Sequence, residues 1–76
     1  MTKYTLKFRY AHEISFLYLT LSSTTLEKSI EESKYFIEDI EQKEYINQNG
    51  DRGKYKVVEA YIEKHIERKE VVWQMK

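Results

Sequence analysis

The N-terminal residues of the chain alternate strictly between polar and apolar side chains. The apolar positions are Tyr4, Leu6, Phe8 and Tyr10, and the polar positions between them are Lys3, Thr5, Lys7 and Arg9. A period of two residues places all the apolar side chains on one side of an extended chain. The pattern therefore predicts a β-strand with one buried face.

A second apolar segment, residues 14–21, is too short and too rich in β-formers for a helix and predicts a strand paired antiparallel with the first. Its two faces are both apolar. Phe16 and Tyr18 point to one side of such a strand, whereas Leu17, Leu19 and Leu21 point to the other. One layer of helix covers only one face of a sheet, so the second face either stays exposed or needs a further cover.

The middle of the chain carries apolar residues at helical spacing. Leu26, Ile30, Ser33, Ile37 and Ile40 fall on one side of a helix, and charged residues from Glu27 to Lys34 fall on the other. Thr24 and Glu27 fit a capping box, in which each side chain bonds the backbone of the other. The segment predicts an amphipathic helix over residues 25–42.

The C-terminal third follows a loop at residues 48–53, which holds both glycines of the chain. Residues 55–62 and 71–75 are rich in β-branched and aromatic side chains and predict two strands. The alternative is a helix over residues 54–68, because Val58, Tyr61, Ile62 and His65 also fit helical spacing. We predict one α+β domain over residues 1–76 in the order β-β-α-β-β, with the helix on one face of an antiparallel sheet; the alternative order is β-β-α-α-β.

The length of the connection around His12 decides which side chains share a face. A two-residue connection places the leucines of the second strand with Tyr4, Leu6 and Phe8. The opposite face then carries five residues that combine cations with aromatic rings: Lys3, Lys7, Arg9, Phe16 and Tyr18. A three-residue connection brings the leucines beside Lys7 and Arg9 instead, and a further alternative is that the C-terminal segment folds over this second face.

Composition narrows the function. The 76 residues include 13 basic and 13 acidic side chains, so the formal net charge is zero, whereas general nucleic-acid and membrane binders carry an excess of cations. The chain has no cysteine and shows no nucleophile beside a base, no metal-ligand spacing and no phosphate loop. We therefore expect no enzymatic activity, no cofactor and no bound metal. We also expect no membrane span, since no apolar run is long enough, and a cytoplasmic location.

These observations favour an interaction module. We expect its partner to be another protein or a second copy of the chain, bound through the sheet by Lys3, Lys7, Arg9, Phe16 and Tyr18. The alternative is a nucleic-acid-binding module in which the same cations contact phosphates and the same rings stack on bases. The usage of Lys, Ile, Glu, Tyr and Asn without proline is common in AT-rich bacterial and phage genomes. It suggests a phage or mobile-element accessory protein that inhibits a host enzyme or defence system.

Overall fold

The fold combines one helix with two antiparallel sheets, as described for residues 2–66 and 68–75 by a computed structural model. The elements are β1 (Lys3–Tyr10), β2 (Leu17–Thr20), α1 (Leu26–Glu41), β3 (Glu44–Ile46), β4 (Arg52–Lys54), β5 (Val57–His65) and β6 (Lys69–Gln74). The predicted α+β class is confirmed. The predicted order β-β-α-β-β is wrong in one respect, because the additional β3–β4 hairpin follows the helix.

The larger sheet has the strand order β2-β1-β5-β6, and every neighbouring pair is antiparallel. Helix α1 packs on the face that carries the apolar residues of β1. Leu6 lies at the centre of this core and is fully buried between Leu19 of β2 and Ile62 of β5. The alternation read from β1 thus sets the side of the sheet on which the core forms.

Helix α1 begins one residue later than the capping-box prediction implies. The cap is Thr25, whose hydroxyl accepts a hydrogen bond from the Lys28 amide, so Thr24 does not cap the helix. Ser29 and Ser33 are fully buried, which lets the helix backbone lie close to the sheet. Glu32, expected on the solvated side, instead accepts hydrogen bonds from the amide and hydroxyl of Ser22.

The β3–β4 hairpin occupies the region that the sequence indicated as a loop. Asn47 Oδ1 accepts hydrogen bonds from two amides of the turn, and Gly50 adopts a positive φ of 82°. The ring of Tyr45 lies directly over Gly53, where even a methyl group would collide with it. Tyr45 stacks on His12 with ring centroids 3.8 Å apart, so aromatic contacts attach the hairpin to the end of β1.

The C-terminal segment forms strands, so the alternative helix over residues 54–68 is wrong. The residues that fitted helical spacing lie on both faces of the strand, since Ile62 faces the core whereas Tyr61 and His65 lie opposite Lys7 and Lys3. The strand also contains a bulge. Arg9 is opposite Glu59 and Tyr10 is opposite Val57, which leaves Val58 as an extra residue in β5.

The second strand is shorter than predicted, and its connection to β1 is longer. β2 contains only four residues, and residues 11–16 link the two strands. The facing nevertheless agrees with the two-residue alternative, since Phe8 is opposite Leu17 and Lys7 is opposite Tyr18. The segment after residue 56 does not cover the second face of this hairpin but extends the sheet beyond β1, so the covering alternative is wrong.

The helix face allows a graded test of the core. Ile37 is buried against the sheet, whereas Ile30 is half-buried. Ile37→Ala should lower the free energy of unfolding by about 2–4 kcal/mol, since it leaves a cavity, and Ile30→Ala should cost clearly less. Denaturant unfolding of both variants measures the difference. Equal stabilities for the two variants and the parent would show that the helix packs on another side.

Candidate functional site: the open face of the sheet

The face of the large sheet that lies opposite α1 is not covered by any described element. We call it the open face. Strand register places these described residues on it: Lys3, Thr5, Lys7 and Arg9 from β1; Tyr18 and Thr20 from β2; Glu59, Tyr61, Glu63 and His65 from β5; Lys69, Val71 and Gln74 from β6. Phe16, just before β2, joins them through its contact with Tyr61. The open face thus combines aromatic, cationic and acidic side chains.

Three aromatic side chains cluster on the half of the open face that also carries Arg9. The rings of Phe16 and Tyr61 meet edge to face with centroids 5.7 Å apart. Tyr18 and Tyr61 flank Lys7 on the two neighbouring strands. Tyr18 is 74% exposed and Phe16 is 42% exposed, so this end presents apolar surface to solvent. We call these three residues the aromatic patch.

Two ion pairs join β1 and β5 on the open face. Lys7 Nζ lies 2.8 Å from a carboxylate oxygen of Glu63, which is its diagonal neighbour on β5. The guanidinium of Arg9 lies 2.9 Å from Glu59 and also donates to the carbonyl oxygen of Glu13, which anchors the β1–β2 connection. Both cations are therefore paired with carboxylates of β5.

The ion pair shifts the pKa values of both Lys7 and Glu63. The hydrogen bond from Lys7 holds the pKa of Glu63 below its usual value of 4.5, although burial of the carboxylate opposes this shift. The same bond raises the pKa of Lys7 above 10.5. Glu63 is almost enclosed, with 11% of its side chain exposed, whereas 29% of the Lys7 side chain reaches solvent. Glu63 thus depends on Lys7 for its charge compensation.

All five residues predicted to bind a partner lie on the open face. Lys7 and Arg9 are engaged in ion pairs, whereas Lys3 has no ion pair among the described residues. The residues that β5 and β6 add to the open face were not predicted from the sequence. They include Tyr61 and the acidic residues Glu59 and Glu63. The alternation of Glu59, Tyr61 and Glu63 with Ala60 and Ile62 was a signal that could have revealed it.

The two edge strands of the large sheet, β2 and β6, are poorly suited to pairing with a strand from another chain. β2 is only four residues long, and β6 is interrupted by a bulge. Ile62 is opposite Trp73 and Glu63 is opposite Val71, so Val72 is left without a partner residue on β5. Short edges and bulges disfavour pairing with a strand from another chain. Docking on the face is therefore better supported than addition of a strand.

The described residues outside the open face contain fewer candidates. His12 belongs to the aromatic contacts that hold the hairpin, whereas His65 lies on the open face at the other end of β1. An open groove between α1 and β6 is lined mainly by Ile37, Trp73 and Met75, and includes none of the five predicted residues. Within residues 2–66 and 68–75 no three metal-ligating side chains converge.

In the part of the chain that the structure describes, no helix is long and apolar enough to cross a bilayer.

The pH dependence of stability tests the ion pair at the centre of the face. Its contribution is present above the usual pKa of Glu63 and below that of Lys7, and it is lost as pH falls through the lowered pKa of Glu63. Glu63→Gln should therefore be less stable than the parent at neutral pH, and the difference should shrink below about pH 4.5.

Lys7→Met supplies the matched control for this experiment. It leaves the Glu63 carboxylate enclosed and without its cation, so this variant should lose less stability than the parent on acidification. Denaturant unfolding between pH 7 and pH 3 measures all three curves. Parallel curves for the parent and Glu63→Gln would show that the ion pair does not form in solution.

The chain was finally compared with known proteins. No protein-family model, curated protein or solved structure matches it. The function proposed below therefore rests on the residues of the open face alone.

Proposed function

We propose that this chain is a non-enzymatic protein-interaction module that docks a protein partner on its open face. One observation supports this most strongly: α1 covers one face of the four-stranded sheet, and the other face leaves Phe16 and Tyr18 exposed beside oriented charges. Tyrosine and arginine are enriched in protein interfaces because they supply large contact areas with a polar end.

The ion pairs favour binding without large reordering of the face. Arg9 is held by Glu59 and by the Glu13 carbonyl, and Lys7 is held by Glu63. A partner that docks over them does not need to immobilise these long side chains, which lowers the entropic cost of association. The exposed rings of the aromatic patch then supply the apolar centre that a stable interface needs.

The alternative, a nucleic-acid-binding module, has less support from the same face. A phosphate that contacts Lys7 or Arg9 competes with a carboxylate that is already within 3 Å of each cation. Base stacking on Phe16 and Tyr18 alone lacks the run of free cations that tracks a nucleic-acid backbone. The protein partner is therefore the better proposal, and nucleic-acid binding would appear as a steep loss of affinity with salt.

A pair of tyrosines with matched exposure allows a direct test. Tyr18 on the open face is 74% exposed, and Tyr35 on the outer side of α1 is 75% exposed. A glutamate at either position should leave the fold intact, but only Tyr18→Glu places a charge in the proposed interface. In affinity capture from cells of the source organism, we expect a protein that the parent and Tyr35→Glu retain to be lost from Tyr18→Glu.

Circular dichroism of each variant separates loss of binding from loss of fold. Leu19→Glu serves as the unfolding control, because Leu19 faces the core opposite Leu6. Identical sets of captured proteins for Tyr18→Glu and Tyr35→Glu would contradict the proposal. Capture of nucleic acid that depends on Tyr18, without any protein, would favour the alternative.

A further inference from the structure

The two ends of the open face differ in chemistry. Toward the end that carries Arg9 and Glu59 lies the aromatic patch of Phe16, Tyr18 and Tyr61. At the other end Lys3, His65 and Lys69 lie side by side on β1, β5 and β6. We call these three residues the basic row. Glu63, the partner of Lys7, lies on β5 between the aromatic patch and the basic row.

The two lysines of the basic row are not paired with carboxylates, whereas Lys7 and Arg9 are. Lys3 and Lys69 are both exposed, and neither forms an ion pair within residues 2–66 and 68–75. The strands of the open face carry four Lys and Arg residues against two carboxylates, both of which are engaged by Lys7 and Arg9. The surplus positive charge of the face is therefore concentrated at the basic row.

The chain as a whole is neutral, so this surplus is balanced elsewhere. Helix α1, on the opposite side of the sheet, contains six Asp and Glu residues and only two Lys residues. The fold thus separates charge between its two layers, which the net charge of the sequence conceals. A charged partner meets a basic sheet face on one side of the molecule and an acidic helix on the other.

From this arrangement we infer that the partner of the open face is a protein segment with an apolar side chain at one end and a cluster of carboxylates at the other. This inference rests on the proposed function and specifies its partner. Tyr61 and His65 are four residues apart on β5, so the two recognition points are separated by about 13 Å along the strand direction. The apolar group contacts the aromatic patch, and the carboxylates contact the basic row.

A second copy of the chain does not fit this description. Symmetric docking of two open faces would bring two surplus positive charges together and would leave both basic rows without counter-charge. The acidic helix of another copy supplies carboxylates, but that contact joins different surfaces and does not close into a dimer. The open face is therefore complementary to a foreign acidic segment.

Synthetic peptides test this inference without knowledge of the natural partner. The first peptide carries a Phe-Leu pair, a spacer of about four Ser and Gly residues and a run of glutamates, with a fluorophore for anisotropy measurements. The second peptide has glutamine in place of every glutamate. The third has the same residues as the first, but its Ser and Gly residues are moved to one terminus, so that the Phe-Leu pair directly adjoins the glutamates. A fluorescent single-stranded RNA of similar length is the fourth probe.

We expect the first peptide to bind about three- to tenfold more tightly than the second at low salt, since its carboxylates form exposed ion pairs with the basic row. It should also bind more tightly than the third, and raised salt should remove the advantage. The double variant Lys3→Gln with Lys69→Gln should lose this preference. The matched double variant Lys28→Gln with Lys34→Gln removes the same charge from α1 and should keep it.

Each other result overturns the inference. Equal affinities for the glutamate and glutamine peptides, or no binding of any peptide, would remove the acidic segment as the partner. Tighter binding of the RNA, lost in the Lys3 and Lys69 variant, would assign the basic row to phosphates. The capture experiment with Tyr18→Glu remains informative in all these cases, because it tests docking on the face whatever the charge of the partner.

Discussion

The structure depends on one constraint, which is that a single helix covers a single face of a four-stranded sheet. Leu6 and Ile62 are fully buried beneath α1, and Ser29 and Ser33 let the helix approach closely. Among residues 2–66 and 68–75, no further element lies over the other face. The composition of that other face is therefore free to serve binding, and its exposed rings and oriented charges are what the proposed function uses.

The ion pairs of the open face compensate its two carboxylates and leave two lysines unpaired. The enclosed Glu63 needs Lys7 beside it, because an unpaired buried carboxylate is costly. Once Lys7 and Arg9 are committed to Glu63 and Glu59, the remaining positive charge belongs to Lys3 and Lys69 at one end. We propose that the same arrangement disfavours self-association through this face and favours an acidic partner.

The sequence predicted those parts of the fold that are encoded by regular periods. The alternation in β1 and the apolar stripe from Leu26 to Ile40 located a strand and the helix within a residue or two. β3 and β4 were missed because three residues are too few to show a period. β5 carries apolar or aromatic residues on both faces, such as Ile62 and Tyr61, which kept a helix open as an alternative.

Only part of the candidate site was predicted from the sequence. The five residues from β1 and the second strand follow from local alternation, whereas their partners Glu59, Tyr61 and Glu63 depend on long-range pairing of β1 with β5. Local patterns do not specify that pairing. The setting of a phage or mobile-element accessory protein rests on composition and stays a prediction.

The central claim, an open face that neither the chain nor a second copy covers, is most directly tested by NMR with a soluble, neutral paramagnetic agent. Side-chain protons of Tyr18 should relax as strongly as those of the exposed Tyr35, and those of Phe16 should relax clearly more than those of the buried Tyr4 and Phe8. The measurement is made at several protein concentrations, with the mass followed by light scattering. Protection of Phe16 and Tyr18 equal to that of Tyr4, in a monomer or in a dimer, would contradict the account.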